Sequence, residues 1–293
     1  MRQDVPSVTA ITVALARALA THDPELSRAC RDPYAEALLP RVLLPLVRHA
    51  QRRGHHRLEH ALRALSLGLC DHVALRTALI DRALEHELTR GPTQVVLLGA
   101  GLDARAHRFE PLAQSTVYEV DHPATQALKR KKAESLPRAA RALHYVPCDF
   151  RDTQLEDALT AAGFDPRARS LWLWEGVTMY LFPAAIEHTL AAVARLSASE
   201  SLLVTTYLTP DVVAAGATLG RMAGQLLGAI AEPLRATFTQ PALSATLARA
   251  GFRVLSDVAP TDAAAFFGVE VQRPSSLMPS ERITVSVRES RES

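Results

Sequence analysis

Between residues 93 and 208 the chain alternates short apolar runs with helix-like segments, and this alternation constrains the fold more than any other feature. The runs occupy residues 94–98, 116–120, 143–147, 170–174 and 201–207. Strands that alternate with helices predict a mostly parallel sheet covered on both faces. Further runs at 252–258 and 282–288 form a terminal hairpin. The predicted fold is therefore α/β, with a Rossmann-like seven-stranded sheet whose last strand is antiparallel.

The segments outside this alternation are predicted to be helical. Residues 8–90 carry apolar side chains at helical spacing, including a helix over 71–90 that stops at Gly91 and Pro92. Asp32, before Pro33, is typical of a helix start. We expect a helical extension at 1–70 that acts as a lid, and a main domain at 71–293. A helical insertion is expected at 209–245, over the carboxyl ends of the strands, with its helical pattern spanning 211–238.

Composition excludes several classes of protein. Of the 293 residues, 48% are hydrophobic and 22% are charged, which is ordinary for a globular chain. The net charge of +2 is too small to indicate a nucleic-acid or membrane partner. The three cysteines lack disulfide or metal spacing, and no signal peptide or apolar span is visible. We therefore expect a cytoplasmic protein without a metal site.

A glycine turn after the first strand is the main candidate for a ligand site. The first strand ends in Gly99-Ala100-Gly101, and Asp121 closes the second strand twenty residues later. Glycines let the backbone turn tightly and approach a ligand, and an acidic side chain at that position can accept hydrogen bonds from both ribose hydroxyls. A tight strand-to-helix turn without a ligand is the alternative for the glycines alone.

Because the turn also satisfies G-x-G-x-x-G/A, a dinucleotide oxidoreductase has to be weighed. Asp149 and Phe150 follow the third strand, and Glu175 follows the fourth. Asp149 and the Phe150 amide suit an adenine, and Glu175 would lie near a cationic methionine group. Several carboxylates would repel a pyrophosphate but not a sulfonium. Helix capping by Asp149 and a structural role for Glu175 remain the alternatives.

The same strand ends carry a family resemblance. The strings LLGAGLDARAHRF, VYEVDHP, VPCDFRD and WEGVTMYL, in this order between residues 70 and 208, resemble the leucine carboxyl methyltransferase family. The resemblance extends to its bacterial, polyketide-associated branch, and DPYAEALL resembles the family's N-terminal segment. His107 departs from the pattern, because an aromatic residue is usual there.

The resemblance implies a class I methyltransferase fold and S-adenosyl-L-methionine as the cofactor. It implies that Gly99, Asp121, Asp149, Phe150 and Glu175 contact the cofactor, with Ala100 and Gly101 in the same turn. Arg76 resembles the arginine that binds the cofactor carboxylate and approaches the acceptor, and Tyr180 a tyrosine that faces the acceptor. A surface position for Arg76 and a core position for Tyr180 are the alternatives. Arg17 is a candidate for a further basic cofactor contact.

The expected activity is O-methylation of a carboxylate on a small molecule or peptide. Methyl transfer is an in-line displacement, which needs placement more than proton transfer. An ionised carboxylate needs no base, and no motif places a histidine at the site. Arg76 and Tyr180 are the candidate catalytic residues. A hydroxyl acceptor of polyketide type, a dinucleotide oxidoreductase and a non-catalytic binding protein are the alternatives. We expect a monomer or homodimer.

Overall fold

A seven-stranded sheet forms the centre of the protein. The computed structural model describes residues 7–50, 63, 66, 68–91, 93–149, 154–211, 233–271 and 280–290. The strands are β1 Gln94–Leu98, β2 Thr116–Asp121, β3 Ala142–Pro147, β4 Ser170–Trp174, β5 Leu202–Leu208, β6 Phe252–Val258 and β7 Glu281–Arg288. Each lies within one residue of its predicted bounds.

The strand order is β3-β2-β1-β4-β5-β7-β6. Strands β1 to β5 pair in parallel, whereas β7 pairs antiparallel with both β5 and β6. The predicted Rossmann-like sheet with an antiparallel last strand is confirmed. The chain reverses its direction of winding between β1 and β4, and ligands of open α/β sheets bind at the carboxyl ends on either side of such a point.

Helices flank the sheet and precede it. They are α1 Val8–His22, α2 Leu26–Ala29, α3 Ala35–Leu38, α4 Leu44–Ala50, α5 Leu69–Leu88, α6 Arg105–Arg108, α7 Pro123–Ala133, α8 Leu155–Ala161, α9 Pro183–Arg195 and α10 Gln240–Arg249. The helix start predicted at Asp32 is confirmed, because its Oδ1 accepts from the Tyr34 and Ala35 amides at 3.2 and 3.0 Å. None of the described helices is long and apolar enough to cross a membrane.

Strand β4 shows how the sheet separates two cores. Trp172 and Trp174 point to one face, where they pack with α9, while Leu171 and Leu173 point to the other face, beneath α5. Side chains alternate along a strand, so a strand that is apolar throughout must be covered on both sides. The burial of all five β4 residues fits this rule.

Helix α1 packs closely against the rest of the molecule through small side chains. Ala16 and Ala20 meet α5, and Ala14 and Ala18 meet the segment that follows the glycine turn. Small side chains allow the helix to approach closely. Consequently α1 lies beside the carboxyl ends of the strands, where it forms part of a cavity wall.

Residues 233–239 are not helical, which corrects the expected insertion within 209–245. Backbone amides of this segment donate hydrogen bonds to carbonyl groups elsewhere in the chain. Arg235 N–H donates to the Met179 carbonyl at 2.8 Å, and Phe238 N–H donates to the Leu208 carbonyl at 2.9 Å. Pro233 also lacks an amide hydrogen. These external partners replace the helical ones. Residues 212–232 of the predicted insertion lie outside the described residues.

Candidate active site

A cavity opens at the carboxyl ends of the strands, between the two halves of the sheet. Its volume is about 360 Å³, near the lower end of the range of about 300–1,000 Å³ for small-molecule sites. Its wall includes the predicted site residues Arg76, Gly99, Ala100, Gly101, Asp121, Asp149, Glu175 and Tyr180. Phe150 lies outside the described residues. The fold thus gathers these side chains, and their roles stay predictions.

The glycine turn forms the floor of this cavity. Gly99 and Gly101 have φ values of 69° and 50°, in the left-handed region that disfavours other residues. A Cβ atom on Gly99 would also lie 2.5 Å from Val177 Cγ2, whereas one on Gly101 would lie 3.1 Å from the Ala10 Cβ. Glycine at 99 is therefore required both by backbone geometry and by the approach of the loop after β4.

Asp121 ends β2 beside the glycine turn. Its Oδ2 accepts a hydrogen bond from the Gly101 amide, and its Oδ1 accepts from the His122 amide at 2.6 Å. Burial raises the pKa of this carboxyl, and the two amide hydrogen bonds oppose that rise. The side chain still lines the cavity. It is held where it can accept further hydrogen bonds from a ligand.

The end of β3 contributes Asp149, close to a histidine that the motifs did not identify. His122 Nε2 lies 3.7 Å from Asp149 Oδ2, and both residues line the cavity. His122 also accepts from the Ala124 amide through Nδ1 at 3.3 Å, which caps α7. This histidine directly follows Asp121 in sequence, and that position is the signal that could have identified it. The motifs place no histidine at the site, whereas the structure places His122 in the cavity wall.

Glu175, after β4, is bound by two arginines. Its Oε1 accepts from Arg76 Nε at 2.9 Å and its Oε2 from Arg105 Nη1 at 2.7 Å. Arg105 also binds Asp103. Although burial opposes ionisation, the arginines lower the pKa of Glu175. The carboxylate is ionised but largely neutralised, so it repels an anionic ligand less than the sequence suggested.

Arg76 is buried on α5 and lies against the cavity. Besides Glu175, it binds Glu281 on β7, with Nη1 at 3.1 Å from each carboxylate oxygen. A surface position for Arg76 is thereby excluded. Among the described residues none accepts from its Nη2, so this nitrogen is available to a ligand.

Arg17 reaches the cavity from α1. It is 3% exposed, its Nη2 donates to the Leu102 carbonyl at 2.9 Å, and its Nε is 3.7 Å from Asp32 Oδ2. In the described part of the chain this Nε finds no hydrogen-bond acceptor. A buried guanidinium that is only partly satisfied fits a position where a bound anion completes its contacts.

Tyr180 marks the outer part of the cavity. It ends the short 3₁₀ helix Thr178–Tyr180 and is only partly buried. The neighbouring Phe182 is 59% exposed, and the Arg235 guanidinium carbon lies 4.2 Å from the centre of its ring. Both residues line the cavity. The mouth thus combines aromatic surface with a cation.

His107, which departs from the family pattern, is buried beside the main-chain carbonyl of Pro137. Its Nδ1 lies 2.8 Å from that oxygen. Burial lowers the pKa of His107, so its ring is neutral at neutral pH and Nδ1 can donate this hydrogen bond. The imidazole therefore occupies a packed position away from the cavity wall.

The chemistry of this cavity fits S-adenosyl-L-methionine. Asp121 and the glycine turn suit a ribose, while Asp149 and His122 suit an adenine. The Nη2 atom of Arg76 and the buried, partly satisfied Arg17 suit a carboxylate at the other end. Because Arg76 and Arg105 neutralise Glu175, the cavity can bind a ligand that carries both positive and negative groups.

Comparison with known proteins agrees with this chemistry. The family model described as leucine carboxyl methyltransferase matches residues 10–194. A protein of Mycobacteroides abscessus assigned as an S-adenosyl-L-methionine-dependent methyltransferase is 33% identical over 260 residues, which cover 85% of this chain and 84% of the relative. A Mycobacterium sp. strain JLS protein with the same assignment is 36% identical over 216 residues, covering 73% and 70% of the two chains.

A solved structure supports the fold. The crystal structure of a Thermobifida fusca protein assigned as a methyltransferase superposes with a TM-score of 0.56 at 17% identity, over 79% of this chain and 88% of the other. At this identity the likeness concerns the fold alone. The family match and the curated relatives decide the class: the chain belongs to the leucine carboxyl methyltransferase family and is an S-adenosyl-L-methionine-dependent methyltransferase.

Proposed function

We propose that this methyltransferase methylates a carboxylate of a small molecule or a peptide. The observation that supports this most is the placement of Arg76, which lines the cavity with Nε and Nη1 bound to carboxylates. Its Nη2 carries two N–H donors and meets no acceptor among the described residues, so one can serve the cofactor and one the acceptor. A guanidinium edge is a favourable partner for a carboxylate. Tyr180, which lines the same cavity, can donate a hydrogen bond to the acceptor.

The position of the histidine supports the same acceptor. Of the described residues that line the cavity, the only histidine is His122, and it lies 3.7 Å from Asp149, a residue proposed to bind the adenine. An alcohol usually requires a base to remove its proton, whereas a carboxylate is ionised at neutral pH. A site with its imidazole at the adenine end suits the acceptor that needs no base.

The proposed roles divide the cavity into two ends. At one end, Gly99, Ala100 and Gly101 hold the cofactor with backbone groups, and Asp121 binds the ribose hydroxyls. In the same way, Asp149 and Phe150 bind the adenine. At the other end, Arg17 and Arg76 bind the cofactor carboxylate, with Glu175 holding Arg76 in place.

Catalysis in this proposal is mainly a matter of orientation. When bound, S-adenosyl-L-methionine would supply an electrophilic methyl group on its sulfonium, with the sulfur as the leaving group that retains the electron pair of the C–S bond. Arg76 and Tyr180 align the acceptor carboxylate with that methyl carbon. Correct alignment of two reactants can lower a barrier by about 7–11 kcal/mol. No residue has to accept a proton.

Paired acceptors test the proposal. The protein is incubated with the cofactor and with acids and alcohols that share the same carbon skeleton, and mass spectrometry detects the gain of one methylene. We expect the gain on acids, with about tenfold slower formation of the product in Tyr180→Phe. A gain on the alcohols alone would instead establish a hydroxyl acceptor and refute the proposal.

The cysteines bear on the location of the enzyme. Cys30 and Cys70 are buried free thiols. Buried thiols without a disulfide are typical of proteins that work in a reducing compartment. This supports the proposal of a cytoplasmic enzyme.

A further inference from the structure

Glu281 reaches the cavity region because β7 runs against the other strands. It is the first residue of β7 and pairs with Leu208, the last residue of β5. The start of an antiparallel strand lies at the carboxyl edge of its parallel neighbours. A carboxylate more than 200 residues from Arg76 in sequence is thereby placed beside it.

Glu281 is held by a histidine and an arginine from one face of α5. His72 and Arg76 are four residues apart, which puts both on the same side of the helix. The His72 Nε2 contacts Glu281 Oε2, and Arg76 Nη1 contacts both oxygens. Burial works against ionisation, but Arg76 and His72 lower the pKa of Glu281 to about 2. The carboxylate is thus charged and fixed at neutral pH.

These contacts leave Arg76 a single free edge. A guanidinium is planar, so carboxylates bound at Nε and Nη1 define the orientation of the whole group. Glu175 takes the first of these nitrogens and Glu281 the second. A Cβ on Gly176 would lie 3.9 Å from both terminal nitrogens, so this glycine borders the group on a further side. Of the three nitrogens, Nη2 is the one that donates to no acceptor in the described part of the chain.

We propose that Glu281, itself held by His72, is a positioning residue that fixes Arg76 with Nη2 toward the cofactor carboxylate. The inference rests on the proposed role of Arg76 in cofactor binding. Neither Glu281 nor His72 has to touch the ligand. Their effect on binding should therefore pass entirely through Arg76.

A double-mutant cycle measured by calorimetry with S-adenosylhomocysteine tests this proposal on the full chain. We expect Glu281→Gln and Glu281→Asp each to weaken binding by about tenfold. Glu281→Asp keeps the negative charge but shortens the side chain. A loss of affinity in this variant would therefore show that the position of the carboxylate matters, and not only its charge. In an Arg76→Ala background both changes should have no effect, whereas a merely structural role would cost the same in both backgrounds.

Arg76→Ala leaves each of the two carboxylates with another partner, because Glu281 keeps His72 and Glu175 keeps Arg105. Thermal unfolding checks that each variant folds. If a Glu281 variant does not fold, variants of His72 replace it in the test. His72→Gln retains a hydrogen-bond donor and should keep the affinity for S-adenosylhomocysteine, while His72→Leu should lose it. Glu187→Gln, in an exposed pair with Arg249, is the matched control and should bind normally.

The two possible failures are distinguishable. If Arg76→Ala binds S-adenosylhomocysteine as well as the natural protein does, the proposed role of Arg76 in cofactor binding is wrong. The positioning role of Glu281, which depends on it, is then wrong as well. If Arg76→Ala weakens binding but the Glu281 and His72→Leu variants do not, only the positioning role of Glu281 is refuted.

Discussion

Asp121 accepts a hydrogen bond from the Gly101 amide, and this contact joins the end of β2 to the glycine turn after β1. The two motifs that the sequence presents separately are one structural unit. The carboxylate orients the turn while it is itself held by the Gly101 and His122 amides. A ligand that replaces or supplements these contacts binds to a prearranged group.

Replacing Asp121 should abolish most of the cofactor affinity. Asp121→Asn keeps an oxygen for the Gly101 amide but cannot accept from two ribose hydroxyls as a carboxylate does. With charged hydrogen bonds worth about 1.5–3 kcal/mol each, we expect binding of S-adenosylhomocysteine to weaken by about 100-fold. Calorimetry measures this change in affinity. Asp165→Asn, on an exposed loop, is the control, and equal affinity of Asp121→Asn and this control would contradict the assignment.

The pH dependence of cofactor binding should report the same carboxyl. Burial raises the pKa of Asp121 above its usual value of 3.8, and the ionised form is the better acceptor. Affinity should therefore fall as the pH is lowered, beginning at a higher pH than for an exposed aspartate. Calorimetry over a pH series should show this decline in the natural protein and a flatter profile in Asp121→Asn. Parallel profiles would count against the role of Asp121.

Gly99→Ala should destabilise the protein for two separable reasons. The left-handed backbone costs a non-glycine residue about 1–2 kcal/mol, and the contact with Val177 adds about 1–3 kcal/mol. Gly163 has a φ of 86° and no atom near its Cβ position, so Gly163→Ala isolates the backbone cost. Urea unfolding measures the free energy of unfolding of the natural protein and of the two variants.

Val177→Ala supplies the complementary control for the glycine turn. In this background Gly99→Ala should lose the contact with Val177 Cγ2 and cost only what Gly163→Ala costs. An undiminished cost in the Val177→Ala background would show that Gly99 does not meet Val177 as the structure describes.

Acid should remove the stabilisation that comes from Glu281. The pKa of this carboxyl falls from 4.5 to about 2 on folding, which corresponds to about 3 kcal/mol at neutral pH. Because the folded pKa is the lower one, the contribution is present above 4.5 and is lost as the pH falls toward about 2. Denaturant unfolding should show the gap between the natural protein and Glu281→Gln narrowing over this range. A constant gap would refute the lowered pKa.

Tyr180→Phe should affect the acceptor more than the cofactor. Loss of one hydrogen bond that aligns the acceptor should lower kcat by about tenfold, while the affinity for S-adenosylhomocysteine stays unchanged. Steady-state kinetics with an acid that is methylated, together with calorimetry, separate the two effects. Tyr145→Phe on β3, whose ring lies near Arg130, is the control. Equal kinetics for both variants would remove Tyr180 from the reaction.

The sheet was predictable because its signal is local. Each strand from β1 to β5 is a short apolar run between helical segments, and the antiparallel last strand follows from the loop-like connection after β6. The glycine turn and Asp121 could also be identified from the sequence, since Gly99 and Gly101 need special backbone geometry and the carboxylate ends its strand.

The charged network could not be predicted, because it depends on contacts between distant segments. Arg76 meets Glu281 only through the antiparallel placement of β7, and Arg17 enters from α1. The incorrect prediction of a helix at 233–239 has a similar cause. The alanine-rich sequence before this segment extends the predicted helical pattern into it, but the carbonyls of Met179 and Leu208 accept hydrogen bonds from its amides instead. Local patterns contain no information about such partners.

The most direct test of the account uses cofactor labelled on its methyl group and an extract of candidate acceptors. After transfer, the products are treated with mild alkali, which hydrolyses methyl esters to volatile methanol but leaves methyl ethers intact. If the acceptor is a carboxylate, the label becomes volatile, and Asp121→Asn transfers little of it. Label that stays on an alkali-stable product would contradict carboxyl methylation.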